Sequence, residues 1–390
     1  MKITKVTGIP LRWECEPISD ALSTSEARQA LLVRIDTDTD IYGIGEAFLY
    51  GAPLHVAKYV VERQLGGMIT GKDPENQEEL WNIMHWRTAA QRSRSVLMGA
   101  ISGIDIALWD IKGKAEGKPI SKLLGTSSDR VASYASGGFY ASGKGIDGLK
   151  REIEKYLRMG YHDAKIKIGR NPERADNPLR YMANPVNGVS MEEDFKRIET
   201  AHELLGNGRL LVDMNASWTA DMMLRYHDDL IGRGVSWVEE PIPFEDAVGY
   251  KKIQEVYRDA SIIGFETEQG LANFTRHVKE GILDLVQPDI GWTGGFTECL
   301  KIGKMAEENG RKISLHSFGS AVHFAASLQL AAALPNSEMI ESEENPNALK
   351  TDIMAAPFET DKNMSFLVPQ KPGIGIDLDW EAIEKLIVEV

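Results

Sequence analysis

Two rhythms of apolar and polar positions divide the chain. The first part opens with strand-like alternation over Lys2–Ile9 and Ala30–Ile35, which Ile41–Glu46 continues around Gly43 and Gly45. Helical spacing follows over Leu54–Leu65, Glu78–Trp86 and Ser95–Glu116. Strands and then helices predict an α+β unit. From about residue 130 short apolar runs alternate with amphipathic stretches. The runs are Val131–Gly138, Asp163–Gly169, Arg209–Asn215, Ser236–Glu240, Ser261–Glu266, Asp284–Asp289, Lys312–His316 and the short Met339–Glu341. One helix fits between most of them, for example Gly294–Asn309 with Gly310 as its stop signal. Eight strands with helical crossovers predict a parallel sheet closed into a modified (β/α) barrel.

The domain expectation is therefore an α+β capping domain over residues 1–125, completed by about 355–390, and a barrel over 126–354. The last segment reads as a β-like Ile374–Leu378 and a helix from Trp380, folding back onto the first domain. Between Gly169 and Met191, prolines and asparagines predict a long loop, residues 170–190, of the kind that is often functional.

Composition narrows the setting. The length, 390 residues, suits one large domain plus a smaller one. No apolar run reaches the roughly 18 residues of a membrane span, so no membrane partner is expected. Met1–Pro10 lacks the apolar core of a signal peptide. Cys15 and Cys299 lie far apart, which argues against a disulfide framework or a cysteine zinc site and for a reducing, cytoplasmic setting. The net charge of -14 leaves no basic stripe for phosphates, so nucleic acid is excluded as a partner.

The candidate chemistry sits where the strands end. Strand two ends in Lys165-Ile166-Lys167, strand three in Asp213-Met214-Asn215 and strand four in Glu239-Glu240. Strands five to eight end in Glu266, Asp289, His316 and Glu341. From Asp213 onward each step is about 25 residues, one strand-plus-helix unit, so these residues converge on the C-terminal mouth of a barrel. Adjacent carboxylates repel unless a cation relieves them, and oxygen-only ligands favour Mg²⁺ over Zn²⁺. Lys165 and Lys167 share a strand face. Two adjacent ammonium groups lower each other's pKa, which would let one act as a base. Asp289 is placed to orient the His316 imidazole. Each residue has an ordinary alternative: a solvated strand edge for the lysines, a helix N-terminus for Glu239-Glu240-Pro241, a turn for Asp289, a structural role for His316. Their joint phase with the strands is what those alternatives do not explain.

On these residues the chain resembles the enolase superfamily, and within it the mandelate racemase-like subgroup that holds many acid-sugar dehydratases. Ala100–Lys114, Lys-Ile-Lys-Ile-Gly, Val-Asp-Met-Asn, Trp-Val-Glu-Glu-Pro, Val-Gln-Pro-Asp and Glu-Asn-Pro-Asn-Ala-Leu carry the resemblance over nearly the whole chain. It implies Asp213, Glu239 and Glu266 as Mg²⁺ ligands, with Glu268 an alternative to Glu266. It implies Lys165 on the substrate carboxylate, Lys167 as the base on one face, and His316 with Asp289 on the other. Glu341 would be a carboxylic acid that hydrogen-bonds the enolate oxygen. The general scheme, a Lys or His base with Mg²⁺ holding an enediolate, belongs to the superfamily. The activity it implies is dehydration of an aldonate or aldarate to a 2-keto-3-deoxy acid. Alternatives are a racemase, an epimerase or a lactone cycloisomerase using 1,1-proton transfer, or an inactive ligand-binding barrel. Substrate contacts are expected from Asn215 and from capping loops near Trp13 to Ser25 and near Gly51. The expected partner is a small carboxylate, and the resemblance implies a homo-oligomer.

Overall fold

A computed structural model describes residues 1–91, 94–126, 128–170 and 190–390. The capping domain begins with three antiparallel strands, β1 (Ile3–Ser19), β2 (Thr24–Thr37) and β3 (Tyr42–Ala47), in that order. β1 is much longer than the expected Lys2–Ile9, because β2 keeps pairing with it through Trp13↔Arg28 and on to Ser19↔Thr24. The expected loop from Trp13 to Ser25 is thus mostly strand, and only its tip turns.

The helix Val96–Glu116 lies across β3. Gly43 and Gly45 permit this contact: a Cβ on either would stand about 2 Å from a carbonyl oxygen of that helix, at Ala107 and Gly103 respectively. Leu31, Val33, Ile101, Ile104 and Leu108 fill the space between sheet and helix. The expected helix at Leu54–Leu65 is α-helical to Tyr59, then wider (π) over Val60–Leu65.

β4 (Arg130–Val131) pairs with β13 (Phe366–Leu367) outside the barrel. This shortens the first expected barrel strand to β5 (Ser133–Gly137). The barrel continues with β6 (Ala164–Lys167), β7 (Leu210–Asp213), β8 (Val235–Glu239), β9 (Ser261–Gly264), β10 (Leu285–Val286), β11 (Lys312–Leu315) and β12 (Ser337–Glu343). All neighbours are parallel, and β12 against β5 closes the ring. The eighth strand, expected to be shortest, has 7 residues because β5 pairs along it from Ile340 to Glu343.

The C-terminal segment returns to β1, where the Val388 N–H donates to the Pro10 carbonyl and Arg12 N–H to that of Leu386. Ile374–Leu378, expected to be β-like, makes a single bridge, at Leu378, with another just before it at Gly373. The helix Trp380–Glu384 is present. The loop expected over 170–190 lies, between 171 and 189, outside the described residues. Among the described residues no helix is long and apolar enough to cross a membrane.

Candidate active site

The barrel interior is built in two layers. Tyr134, Leu211, Trp237, Ile263, Leu285 and Met339 form an apolar floor. Two residues further along four of those strands stand Asp213, Glu239, Gln287 and Glu341. Side chains repeat every second residue along a strand, so each polar group sits directly above an apolar one and faces the mouth. β9 breaks the pattern. Gly264 and Phe265 both have positive φ, +146° and +72°, and the turn sends Phe265 outward against Tyr250 and His277. Glu266 thereby reaches the mouth. Other non-glycine residues with positive φ, Asn215, Ala216 and Glu240, also follow strand ends at this mouth, where strain is commonly stored for function.

One ligand oxygen from each of Asp213, Glu239 and Glu266 lies within 4.8 Å of the others, and all three residues are buried. Lys165 Nζ is 2.6 Å from Glu239 Oε1 and 2.8 Å from Glu341 Oε1. Lys167 Nζ pairs with Asp213 Oδ2. At the other end of the triad, His316 Nε2 is 3.3 Å from Glu266 Oε2 and 3.8 Å from Glu341 Oε2. His316 Nδ1 meets Asp289 Oδ2 at 2.7 Å. Gln287 Nε2 donates to Glu239 Oε2 at 2.9 Å.

The electrostatics differ from the expectation for the lysine pair. Burial lowers Lys167, and Lys165 lowers it further, but Asp213, Glu266 and Asp20 together outweigh them and its pKa is raised. Lys165 is raised in the same way by Glu239 and Glu341 against burial. Glu341, expected as a neutral acid, is held ionised: burial would raise it, but Lys165 and His316 push it down to about 2. Burial would lower His316, yet Glu266, Glu341 and Asp289 raise it to about 10. Burial pushes Glu266 up to about 7 and, with Asp213 and Glu239 adding to it, Glu240 up to about 8.

A divalent cation fits this donor set. It is all oxygen, converging and buried, and with Glu240, Asp289 and Glu341 buried beside it the mouth carries more carboxyl groups than Lys165, Lys167 and His316 can balance. Glu268, the alternative ligand, is committed elsewhere: Arg94 Nη2 at 3.1 Å, His277 Nε2 at 3.0 Å and Asn273 Nδ2 at 3.0 Å hold it away from the triad.

The capping domain contributes at two places. The tip of the β1–β2 hairpin bridges Ser19 to Tyr140 and brings Asp20 near enough to raise Lys167. Beside Gly51, Tyr50 stacks on His316 with ring centroids 6.0 Å apart and also packs on Trp292. Trp13 does not join them. It lines a separate groove of about 450 Å³ with Lys155, Met159, Glu344 and Phe358, because the pairing of β1 with β2 carries it away from the mouth. Asn215 is at the mouth. Its N–H donates to Asp213 Oδ1 at 2.9 Å, and its own Oδ1 is buried with no partner among the described residues. Tyr50, Glu240 and His323 were missed as site residues. Glu240 carried a signal in its place beside Glu239, but Tyr50 and His323 had no in-phase spacing to reveal them.

This fold and this ring of charges have close counterparts. The model of the mandelate racemase/muconate lactonizing enzyme N-terminal domain matches residues 3–125, and the enolase C-terminal domain-like model matches residues 148–382. The chain belongs to the enolase superfamily, in its mandelate racemase-like group. It is 32% identical over 348 residues to the arabinonate dehydratase of Saccharolobus solfataricus, covering 89% of this chain and 87% of that one. It is 30% identical over 395 residues to the D-galactarolactone cycloisomerase of Agrobacterium fabrum, covering 98% of each. A racemase from Streptomyces coelicolor A3(2) with bound magnesium superimposes with a TM-score of 0.86 at 27% identity, over 99% of this chain and 100% of that one.

Proposed function

We propose that this chain is a Mg²⁺-dependent dehydratase of a sugar acid, an aldonate or aldarate, and that it removes the proton next to the carboxylate. One observation carries the reading. Two proton-transfer groups, Lys167 and the Asp289–His316 pair, stand at opposite ends of a buried carboxylate triad, against Asp213 and Glu266 respectively. Asp213, Glu239 and Glu266 would hold the metal, which when bound supplies positive charge to the substrate carboxylate as negative charge builds there.

The chain's own residues do the rest. Lys165, kept charged by Glu239 and Glu341, holds a carboxylate oxygen of the substrate and stabilises charge that develops on it. Asp213 and Glu266, once they hold a cation, pull less on Lys167 and His316 and let one of them give up its own proton. Lys167 or His316, so freed, then takes the α-proton, according to which face of the α-carbon carries it. With Lys167 as base, His316 delivers a proton to the departing β-hydroxyl. Water is lost between the α- and β-carbons, and the resulting enol becomes a 2-keto-3-deoxy acid. Asn215 Oδ1 accepts a hydrogen bond from a substrate hydroxyl. The dehydratase relative supports elimination over simple proton return. The cycloisomerase relative, with equal coverage of both chains, favours isomerisation as a second reading, since two opposed bases also suit it.

A panel of aldonates and aldarates with Mg²⁺, with and without EDTA, tests the reading. Dehydration yields a semicarbazide-reactive keto acid, whereas isomerisation yields none. Lys167→Ala and His316→Ala are each expected to lose at least about 100-fold in turnover. Normal turnover in both variants, or activity indifferent to chelation, would refute the mechanism.

A further inference from the structure

We propose that His323 is a positioning residue of this site: with His316 it forms a His–Asp–His bridge that occupies both oxygens of Asp289 and so fixes the ring of His316. The inference rests on the proton-transfer role proposed above for His316.

Asp289 caps the short helix Ile290–Thr293, with its Oδ1 accepting from the Gly291 N–H at 2.8 Å. The same Oδ1 lies 2.9 Å from His323 Nε2, while Oδ2 lies 2.7 Å from His316 Nδ1. An ionised carboxylate only accepts, so both ring nitrogens that face it carry hydrogens. That leaves His316 Nε2 as the nitrogen turned toward Glu266 and the reaction. Burial would raise Asp289, but its pKa is lowered, with His323 the largest opposing influence.

His323 is completely buried, so it touches no substrate. It sits near the start of the helix Ala321–Ala333, whose other residues there are mostly apolar. An ordinary core histidine would suit such a helix. The surroundings argue for more. A Cβ on Gly319 would come within 2.6 Å of the His323 Cβ and Cγ, and one on Gly291 within 2.8 Å of its Cδ2. The chain thus has no side chain at two places where one would displace this ring. Ser317 Oγ holds the remaining nitrogen, Nδ1, at 3.1 Å. The same Ser317 donates its N–H to Glu341 Oε2 at 3.3 Å. Phe48 from the capping domain packs near both imidazoles, with centroids 5.8 Å from His316 and 5.7 Å from His323. Glu46, also from the cap, accepts the His323 N–H at 3.2 Å. His323 is therefore tied to Asp289, to the strand end that holds Glu341, and to the cap. Carboxylate torsions are broad and two-fold. Without His323 the Asp289 carboxylate keeps only one helix N–H on Oδ1, and its hold on His316 loosens.

The test uses the full chain labelled with ¹⁵N-histidine and proton-detected NMR. Two downfield imidazole N–H signals are expected, from His316 Nδ1 and His323 Nε2, and Asp289→Asn should move both. His323→Leu should shift or broaden the His316 signal. His323→Gln, whose amide N–H can reach Asp289, should restore it. On whichever sugar acid the panel identifies, His323→Leu should lower kcat by about ten- to a hundredfold, as outer-shell partners of catalytic groups do. KM should stay unchanged, and His323→Gln should recover most of the loss. A His316 signal unmoved in folded His323→Leu overturns the proposal. If that variant does not fold, movement of only one signal in Asp289→Asn, or loss of the His316 signal in His323→Gln, overturns it instead. The NMR outcome needs no turnover, so it is distinct from failure of the proposed reaction.

Discussion

Asp105 offers a test of how the cap is joined to the barrel. It sits on the helix Val96–Glu116, and its side chain caps a different helix, Gly295–Glu308. Oδ2 accepts the Thr297 N–H at 3.0 Å and Oδ1 accepts Thr297 Oγ1 at 2.6 Å. The site is buried, and burial outweighs these hydrogen bonds and pushes the carboxyl up to about 7 from 3.8. A carboxyl whose folded pKa is raised binds its proton more tightly in the folded state. Its contribution to stability is therefore fully present below the unfolded pKa and is lost as pH rises through about 7. One pKa unit is worth about 1.4 kcal/mol, so moving from pH 5 to pH 8 should remove about 2.5 kcal/mol through this one group. Asp105→Asn keeps the shape and one acceptor for the Thr297 N–H, its NH2 facing Thr297 Oγ1, but cannot titrate. The assay is urea unfolding of wild type and variant at several pH values, followed by circular dichroism. Other titrating groups cancel in the difference between the two proteins. Wild type should lose ground to the variant by about that amount between pH 5 and 8. A difference that stays flat with pH would refute the reasoning.

Three further outcomes are expected. Glu266→Gln should weaken Mg²⁺ binding measured by calorimetry at least about tenfold, whereas Glu268→Gln should leave it near wild type; equal losses would reopen the choice of ligand. Arg28→Met should cost about 3–5 kcal/mol in denaturant unfolding, because it leaves buried Glu343 without the partner it meets at 2.6 Å. Converting Glu343 to Leu as well should recover much of that loss, and a double variant no better than the single one would count against an uncompensated charge as the cause. Gly319→Ala should lower stability by about 1–3 kcal/mol in the same assay through overpacking against His323, and an unchanged midpoint would show that the ring has room to move.

How much was legible follows from which side chains obey a period. Leu211 with Asp213, Trp237 with Glu239 and Met339 with Glu341 repeat an apolar floor and a polar mouth on β7, β8 and β12. That repetition, at the spacing of one strand and one helix, exposes both barrel and site. Boundaries were less legible because pairing partners decide them. β12 is long since β5 accompanies it, and β4 leaves the barrel since β13 offers another partner. Trp13 was misplaced because alternation continues past Pro10, and a hairpin that long carries its middle away from the mouth. Tyr50 and His323 reach the site from a capping loop and from a helix. Neither position has a period that refers to the barrel axis.

The lysine pair shows where reasoning along the chain stops. Two ammonium groups on one strand face do lower each other, and Lys165 does lower Lys167. Closing the barrel brings each lysine against a carboxylate of another strand, Lys165 at 2.6 Å from Glu239 and Lys167 in contact with Asp213. Coulomb energy falls with distance, so the contacting opposite charge wins over the neighbouring like charge. The same closure places Glu240, Glu266 and Glu341 in that buried volume. Burial, with the neighbouring carboxylates adding to it, pushes Glu266 and Glu240 up while Glu341, gripped by Lys165, goes down. Three carboxylates at one barrel mouth thus end with opposite shifts. The order of strands around the ring, which sets Glu341 against Lys165 at 2.8 Å and Glu266 against His316 at 3.3 Å with other carboxylates near, decides the sign for each.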